Sequence, residues 1–446
     1  AALVDTETGA LLGTATHRTT IDTDVLDGYD ECLAALREQH PGVDQAEVLA
    51  CSSAGGGLRV AVVGNEELVT AEAGRRVALS SGGKVVHVLA LATAPDDPLA
   101  ELSASAPDVV LLVGGTDGGN AEAVLAGGRM LAGAPWPIVV AGNLEARDAV
   151  AAMLATDGTP YVLADNVVPR IGVLAPESAR AAIREMFLAH VIGGKHLSSR
   201  ADFTAMVRGA TPDLVLAGVE LLALGLQRDV VVVDVGGATT DVHSVVELDP
   251  EDASLAREVV ATTAVTRTVE GDLGMRWSAV STVQAGANAA VLADDPALTE
   301  AARVRHDDPA HLPVDRTDAL YDEQIARAAT VLAVRRHAGR SRVVLDAAGR
   351  VVERSGKDLR DVGLLVGSGG VLRHLGPEAA LRILTAATGT DPEGWQYPER
   401  PEVVVDRSYV LAAVGLLSEE HAEAAVALGR MHLHPPGRSG PGGPTA

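Results

Sequence analysis

The chain has 446 residues, of which 47% are apolar, so it can bury a large core and by length comprises two to three domains. Its formal net charge of −24 disfavours nucleic acid and anionic membrane surfaces as partners, because both carry negative charge of their own. Two cysteines are too few for a disulfide framework or a cysteine metal site, and no membrane-spanning run or secretion signal is evident, so we expect a cytoplasmic protein.

The first residues have the composition of a β-strand and its turn. Residues 1–5 are typical of the second half of a strand, and residues 5–9 of a hairpin turn. From this start we expect the native chain to be longer at its N-terminus. Strand and helix patterns then alternate, which is typical of an α/β protein. Apolar runs that predict buried parallel strands are Val109–Val113, Ile138–Ala141, Val230–Val233 and Leu364–Val366.

Three helices are predicted from capping residues and apolar spacing. Ser178 is a suitable N-cap for the first, and Thr211 with Pro212 opens the second. The third is expected from Ser408 to about Arg430. The final residues, 435–446, are rich in Gly and Pro and predict a disordered tail.

Two segments of the chain resemble one another. Residues 108–119 and 361–370 share six of their first seven positions, and each predicts a strand followed by a glycine-rich turn. Residues 1–20 and 240–268 share a similar order of strand, turn and return strand. The pattern predicts a duplicated α/β domain; chance similarity in a chain so rich in Ala, Val and Gly is the alternative.

The segment Asp234–Asp241 predicts a phosphate-binding turn. It follows a buried strand, and its two glycines let the backbone turn sharply and approach a ligand closely. Asp234 and Asp241 are the candidate catalytic residues and can hold Mg²⁺ through water, Asp234 foremost. The alternative is an ordinary Gly-Gly hairpin with capping threonines. The residues predicted to bind phosphate, as an anion-binding nest does, are Gly236, Gly237, Ala238, Thr239 and Thr240.

A second glycine-rich turn follows the predicted strand that ends at Val366. Such a strand-to-helix turn can lie flat against an adenine ring and direct a helix N-terminus towards a phosphate. The turn gains weight from the phosphate-binding motif upstream. Its residues are Gly367, Ser368, Gly369 and Gly370.

Other segments have two readings. The Gly114–Asn120 turn, with Asp117, either faces a ligand or only shares an inherited shape. The loop at residues 52–57 is either a second anion-binding loop or a tight structural turn. His306 and His311 flank two aspartates, but a surface loop is favoured over a metal site, because spacing alone does not make ligands converge.

These ordered motifs resemble those of the actin/Hsp70/hexokinase superfamily. The turn at 234–241 resembles its second phosphate motif, and 367–370 its adenosine motif. Glu270–Gly274 stands where those proteins have an acidic, glycine-bearing turn, and the helix at 211–225 matches their connecting helix. Two departures follow from the comparison. The first phosphate motif would precede Ala1, and Thr211 stands where Hsp70-like members carry a glutamate that orients water.

Further segments resemble a narrower family, the glutamate-mutase accessory proteins called GlmL or MutL, which are distinct from the mismatch-repair protein. The family implies an ATPase encoded with adenosylcobalamin-dependent mutases, acting as a reactivating chaperone that helps to exchange damaged cobalamin. The segments that carry the resemblance are Cys51–Leu58, Gly114–Asn120, Asn166–Pro169, Val231–Val246, Thr268–Met275 and Asp406–Leu417.

The resemblance implies two actin-like, ribonuclease H-like ATPase domains with an inter-domain nucleotide cleft. Domain I would comprise residues 1–228 and domain II residues 229–405, with a helix at 406–430 returning to domain I and a flexible tail at 431–446. The implied cofactors are ATP and Mg²⁺, with Glu270 among the binding residues. The implied partner is an adenosylcobalamin-dependent mutase, of glutamate mutase or aminomutase type.

Alternative functions are a small-molecule kinase of the sugar or acetate type and a non-hydrolysing nucleotide-binding scaffold. The kinase would need a substrate base near Asp241 or Asp117. The oligomeric state stays open, with a homodimer as one alternative.

Overall fold

The computed structural model describes residues 1–52, 58–192, 197–247, 263–346 and 349–433. Most of the loop expected at 52–57, the beginning of the return strand expected within 240–268, and the expected tail at 435–446 therefore lie outside the described residues. The chain forms two compact units. The first is Ala1–Val4, Leu11–Gly218 and Leu248–Arg267, and the second is Asp5–Ala10, Val219–Glu247 and Thr268–Ala446. No described helix is long and apolar enough to cross a membrane.

The first unit alternates strands and helices as predicted. Its strands are β1 (Ala2–Val4), β2 (Leu11–Thr14), β3 (Ala50–Ser52), β4 (Leu58–Gly64), β5 (Gly83–Ala90), β6 (Val109–Leu112), β7 (Ile138–Val140), β8 (Tyr161–Leu163) and β9 (Val207–Ala210). Its helices are α1 (Val25–Gln39), α2 (Glu72–Ser80), α3 (Pro98–Ala104), α4 (Glu122–Leu131), α5 (Arg147–Thr156), α6 (Glu177–Met186) and α7 (Ala201–Met206). Helix α8 (Thr211–Leu226) continues into the second unit, and its predicted start at Thr211 is confirmed.

A five-stranded parallel sheet forms the core of the first unit. Its strand order is β5-β4-β6-β7-β8, and every neighbouring pair is parallel. Strand β6 is buried along its whole length, as expected of a strand covered by helices on both faces. The predicted parallel strands at 109–113 and 138–141 are thus confirmed. The order is that of a doubly wound sheet, in which the chain turns to opposite sides after β4 and β6.

Two smaller sheets complete the first unit. Strands β1 and β2 form an antiparallel hairpin, and β3 pairs with β9 in parallel. The turn predicted at 5–9 is confirmed: the Asp5 carboxylate accepts hydrogen bonds from the amides of Glu7 and Thr8, both at 2.9 Å. These hydrogen bonds lower the pKa of Asp5.

The predicted cap at Ser178 is wrong. Helix α6 begins one residue earlier, at Glu177, and Pro176 occupies the N-cap position. The Ser178 hydroxyl instead accepts a hydrogen bond from the Asp165 amide, at 2.9 Å, so it ties the preceding loop to the helix. A local capping pattern cannot reveal a partner that lies outside the helix.

The remaining elements belong mainly to the second unit. Its strands are β10 (Val230–Val235), β11 (Thr240–Val245), β12 (Val265–Glu270), β13 (Arg340–Asp346), β14 (Gly349–Ser355), β15 (Leu364–Ser368) and β16 (Glu402–Val405). Its helices are α9 (Ala279–Asn288), α10 (Pro296–Asp307), α11 (Arg316–His337), α12 (Gly370–His374), α13 (Pro377–Thr385), α14 (Leu411–Leu417) and α15 (Ala422–Leu433).

A mixed five-stranded sheet organises the second unit. Its order is β12-β11-β10-β15-β16; β10 pairs with β11 antiparallel, whereas β10 with β15 and β15 with β16 are parallel. The first four residues of β10 and the first three of β15 are fully buried, so the predicted parallel strands at 230–233 and 364–366 are confirmed. The antiparallel pair β13–β14 forms a separate ribbon.

The two units differ in how they use the repeated pattern. In the second unit the hairpin β10–β11 lies beside β15, the strand that ends in a glycine-rich turn. In the first unit the hairpin β1–β2 is a sheet of its own, and β6 belongs to the parallel sheet. A mixed α/β fold with parallel sheets is therefore confirmed, whereas two equivalent actin-like domains stay a prediction.

The C-terminal region contains two helices where one was expected from Ser408 to Arg430. The Asp406 carboxylate accepts hydrogen bonds from the amides of Val410 and Leu411, at 2.9 and 3.0 Å, and so fixes the start of α14. Tyr409 has a φ of +55°, which a helix does not allow, so α14 begins only at Leu411. Helix α14 ends at Leu417, and α15 begins at Ala422.

A buried histidine in the second unit predicts acid sensitivity. Burial, together with the nearby Lys357, lowers the pKa of His337 to about 3, and its ring nitrogens lie 2.8 Å from the Ser244 hydroxyl and 3.0 Å from that of Thr268. The folded state therefore binds fewer protons at this site than the unfolded chain, so the stability that the site contributes above about pH 6.5 is lost as the pH falls towards 3.

We expect His337→Gln to flatten the decline of the free energy of unfolding between pH 6.5 and 4.5, measured by urea titration. Exposed His374, in the same unit, provides the control: His374→Gln should keep the wild-type slope. An unchanged slope in His337→Gln would contradict the neutral, buried state of this ring.

Candidate functional site

The predicted phosphate and adenosine turns meet at one edge of the second unit's sheet. Asp234, near the end of β10, is the register partner of Ser368, the last residue of β15. On the other side of β15, Gly367 pairs with Val405 at the end of β16. In sheets with parallel strands, ligands bind outside the carboxyl ends of the strands. The structure thus places both turns where such a sheet binds ligands.

Three backbone amides of the phosphate turn take no part in the described backbone hydrogen bonds. The Gly236 amide closes the turn by donating to the Thr239 carbonyl oxygen, at 2.9 Å. In the described part of the chain, the amides of Gly237, Ala238 and Thr239 donate no backbone hydrogen bond. Ala238 is exposed and its two neighbours are half-buried. These three amides are available to an anion.

Thr240 differs from the expectation. Its side chain is fully buried, and its hydroxyl donates to the Leu273 carbonyl oxygen at 3.0 Å. The Thr240 hydroxyl therefore holds the turn against the segment Glu270–Gly274 and does not face a phosphate. Gly274 packs so closely on the turn that an added Cβ would lie 2.6 Å from the Gly237 carbonyl oxygen.

The two candidate catalytic carboxylates lie opposite each other. Asp234 on β10 and Asp241 on β11 are antiparallel register partners, and both are half-buried. Side chains that are directly opposite in such a pair lie on the same face of the sheet, and like charges there are destabilising. A divalent cation near this pair would relieve that repulsion. Carboxylate oxygens, with water, are the ligands that Mg²⁺ prefers.

The adenosine turn touches the end of β10, the strand that precedes the phosphate turn. Gly369 has a φ of +102°, and an added Cβ would collide with the Val235 carbonyl oxygen and lie 3.0 Å from Asp234 Oδ1. Gly370, the first residue of α12, has open space where a Cβ would be. Glycine at 369 is thus required for the two turns to approach, whereas Gly370 leaves an open surface.

Glu270 lies at the same edge in an ionic cluster. Arg336 donates to Glu270 Oε2 at 2.7 Å and to Asp272 Oδ1 at 2.6 Å. Burial raises the pKa of Glu270 in spite of Arg336, and the negative charges of Asp272 and Asp241 contribute to the rise. Because Arg336 already occupies this carboxylate, direct binding of a nucleotide by Glu270 stays a prediction.

Sequence reasoning missed an aromatic and cationic pair at the rim of the site. The Arg373 guanidinium stacks over the Tyr409 ring, 4.7 Å from its centroid. Burial raises the pKa of Tyr409, and the negative charge of Asp234 adds to this, so the ring lies near the candidate site. Arg373 follows the glycine-rich turn by three residues and could have been found; the left-handed backbone of Tyr409 has no sequence signal.

Trp277 is a second residue that sequence reasoning missed. Its side chain is 60% exposed, and its ring lies 2.9 Å from where a Cβ on Gly237 would be. Such an exposed aromatic ring beside a phosphate turn is a natural optical reporter. His306 Nδ1 lies 2.8 Å from the Trp277 carbonyl oxygen, which holds this residue's backbone.

We expect Mg·ATP to change the intrinsic tryptophan fluorescence through Trp277. The chain has three tryptophans, so Trp277→Phe should abolish most of the change, whereas Trp395→Phe should retain it. Titration with Mg·ATP, followed by emission intensity and wavelength, measures this. An equal signal from Trp277→Phe and wild type would place the nucleotide elsewhere.

The histidines that flank Asp307 and Asp308 do not converge. His306 faces the Trp277 carbonyl, whereas His311 Nε2 lies 2.8 Å from Asp318 Oδ2. Asp318 also pairs with the buried Arg305, at 2.7 Å. These contacts favour the structural interpretation over a metal site.

The Gly114–Asn120 turn, in the first unit, is held by a backbone amide and by the amide of a buried asparagine side chain. Asp117 Oδ1 accepts hydrogen bonds from the Leu144 amide, at 3.2 Å, and from the Asn166 side chain, at 2.8 Å. Asp117 therefore stabilises the loop, which does not support its alternative role as a substrate base.

Comparison with known proteins agrees with the sequence motifs. The model of a family described as MutL protein matches residues 1–433. Protein MutL of Clostridium tetanomorphum is 35% identical over 444 residues, which cover 96% of this chain and 96% of that protein. Among solved structures, nucleotide-free acetone carboxylase aligns with a TM-score of 0.38 and 12% identity, over 94% of this chain and 68% of its own. The chain belongs to the MutL protein family.

Proposed function

We propose that this protein is an ATP-binding and ATP-hydrolysing accessory protein that reactivates an adenosylcobalamin-dependent mutase of the glutamate mutase or aminomutase type. The single observation that carries the nucleotide site is the register pairing of Asp234 with Ser368, which joins the phosphate and adenosine turns. The partner is proposed from membership of the MutL family and from what the resemblance implies.

The residues fit a magnesium nucleotide better than a free one. The amides of residues 237–239, which donate no backbone hydrogen bond, suit phosphate oxygens, but Asp234 and Asp241 beside them repel a polyanion. Mg²⁺, when bound, would neutralise charge between the phosphates and these carboxylates. Asp234 would hold its water shell in place, and Asp241 would orient a water or hydroxyl group.

The adenosine would lie on the open surface at Gly370, beside the closely packed Gly369. The rim pair Arg373–Tyr409 offers an aromatic face and a cation beside it. Hydrolysis in a site of this kind depends on positioning and charge stabilisation, without a covalent protein intermediate. A partner would then be driven by its differential affinity for the ATP and ADP states.

We further propose the actin-like division into residues 1–228 and 229–405, with the helical region after Asp406 returning to the first domain. The sheet of the second unit supports it, because an antiparallel hairpin and a strand with a glycine-rich turn are neighbours there. Within the described residues the first unit does not share this arrangement, so its support comes from the resemblance alone.

The test is an ATPase assay on the whole protein, with and without a glutamate mutase or aminomutase. We expect slow, Mg²⁺-dependent hydrolysis that rises when mutase holding inactivated cobalamin is added. ATP turnover that requires an added small metabolite and yields its phosphate ester would favour a kinase. Mg·ATP binding without hydrolysis under any of these conditions would favour the non-hydrolysing scaffold.

A further inference from the structure

A cavity of about 360 Å³ lies in the first unit, outside the carboxyl ends of β4 and β6. Asn65 and Glu66, which follow β4, form one wall, and Thr116, which follows β6, belongs to the opposite wall. The chain connects β4 to β5 on one side of this point, while β6 lies on the other side. A doubly wound sheet binds its ligands in the crevice at such a switch point.

The walls of the cavity are fixed by buried polar side chains. Thr70 Oγ1 accepts hydrogen bonds from the amides of Asn65 and Glu66, at 2.8 and 3.2 Å. On the β6 side, the side chain of Asn143 donates to the Thr116 carbonyl oxygen at 2.6 Å. Thr70, which also lines the cavity, and Asn143 are 5% and 1% exposed, so both walls are held by buried side chains. The cavity is pre-formed.

A glycine shapes the β6 wall. Gly115 has a φ of +67°, and an added Cβ would collide with the Asn120 carbonyl oxygen. The buried Asn166 side chain donates to the Gly115 carbonyl oxygen at 3.0 Å. The positive φ and the close packing explain why a glycine stands at position 115 in the turn at 114–120. The candidate site of the second unit does not include this turn.

In the described part of the chain, the lining is mainly apolar and carries no positive charge. Val69 and Val168 contribute apolar surface, and Ile171 and Val173 also line the cavity, although they are 87% and 41% exposed. Exposed aliphatic residues beside a cavity are suited to packing on a bound ring. The residues that line it are Asn65, Glu66, Val69, Thr70, Gly115, Thr116, Asn120, Val168, Ile171, Gly172 and Val173.

The charge of the lining selects against phosphate. Among the described side chains that line the cavity, Glu66 is the one that is ionisable, and it is exposed. A carboxylate accepts hydrogen bonds and attracts cations but repels a phosphate group. The side chains of Asn65, Thr116 and Asn120 add neutral polar groups. The volume falls within the usual range for small-molecule pockets, about 300–1,000 Å³.

We propose that this cavity binds a nucleoside or nucleobase that carries no phosphate, with its ring against Val168, Ile171 and Val173 and its polar edge towards Glu66, Thr116 and Asn120. The site is independent of the proposed ATP site, because every residue that lines it belongs to the first unit. In this site, the Gly114–Asn120 turn and the loop around Gly172 both contribute residues that line the ligand cavity.

The test is calorimetric titration of the whole protein with adenosine, guanosine, cytidine and uridine, each beside its 5′-monophosphate. We expect at least one nucleoside to bind with one site per chain, and its monophosphate to bind at least tenfold more weakly. Glu66→Gln should reduce the difference in affinity between the nucleoside and its monophosphate, because it removes the charge that repels the phosphate. The absence of binding by all four nucleosides, or equal affinity for the monophosphates, would overturn the proposal.

Two matched variants locate the site. Val173→Trp should fill the cavity and weaken binding at least tenfold, whereas Val304→Trp in α10 should not, although both valines are 41% exposed. Gly369→Ala, which distorts the proposed ATP site, should leave nucleoside binding intact. If Gly369→Ala abolishes nucleoside binding while Val173→Trp retains it, the nucleoside occupies the second unit's adenosine turn and the cavity proposal is wrong.

Discussion

Replacing Asp234 by asparagine is expected to weaken Mg·ATP binding by at least tenfold without unfolding the protein. Asn has the same shape as Asp, so the strand register of β10 with β11 and β15 can persist. What is lost is a negative charge that would hold the water shell of Mg²⁺. Hydrogen bonds to charged groups contribute about 1.5–3 kcal/mol, which corresponds to about a ten- to hundredfold change in affinity.

Metal-free ATP gives this prediction its second readout. Without Mg²⁺, the carboxylates of Asp234 and Asp241 repel the triphosphate. In the presence of EDTA, the Asp234→Asn protein should therefore bind ATP at least as tightly as the wild type does. A structural defect would weaken both forms of the ligand alike. Calorimetry with and without Mg²⁺ therefore separates loss of charge from loss of fold.

The control is a charge of the same kind away from the site. Asp307, exposed at the end of α10, can be replaced by asparagine with the same change in net charge. We expect Asp307→Asn to bind Mg·ATP as wild type does. Equal affinity of the Asp234→Asn, Asp307→Asn and wild-type proteins would remove the basis for placing the nucleotide at this edge of the sheet.

The sequence predicts the local parts of this site well, because each part is a contiguous signal. A buried apolar run followed by glycines specifies both turns, and the pairing of Asp234 with Ser368 follows once β10 and β15 are neighbours. The partner of Thr240 could not be predicted in this way. Its hydroxyl donates to Leu273, 33 residues further along the chain, so its burial depends on how the turns pack.

Nothing in the sequence indicates the cavity of the first unit as a whole. The Gly114–Asn120 turn is recognisable, but the opposite wall of the cavity comes from Asn65 and Thr70, and further lining from the loop at Ile171. These three loops meet only because β4 and β6 are adjacent in the sheet, an order that strand patterns do not specify. The second unit's Tyr409 is a similar case, since a left-handed tyrosine has no local signature.

Gly369→Ala and Gly370→Ala are expected to differ in their effect on the melting temperature, although they are the same substitution at adjacent positions. At Gly369 the new methyl group meets the Val235 carbonyl oxygen, and the φ of +102° is unfavourable for alanine. Backbone strain of this kind costs about 1–3 kcal/mol. Because the collision pushes apart the two turns that form the proposed site, we expect Mg·ATP affinity to fall more than tenfold and the melting temperature to decrease.

At Gly370 an added methyl group meets nothing within 4 Å, and this residue begins α12. Alanine there should keep the melting temperature or raise it slightly, since replacing a compatible glycine stabilises by about 0.4–1 kcal/mol through the unfolded state. Differential scanning fluorimetry and Mg·ATP titration of both variants provide the measurements. Unimpaired affinity in Gly369→Ala would mean that contact between the two turns is not needed for the nucleotide. Lost affinity in Gly370→Ala, with its stability intact, would agree with an adenosine on the open face at Gly370, where a methyl group displaces it.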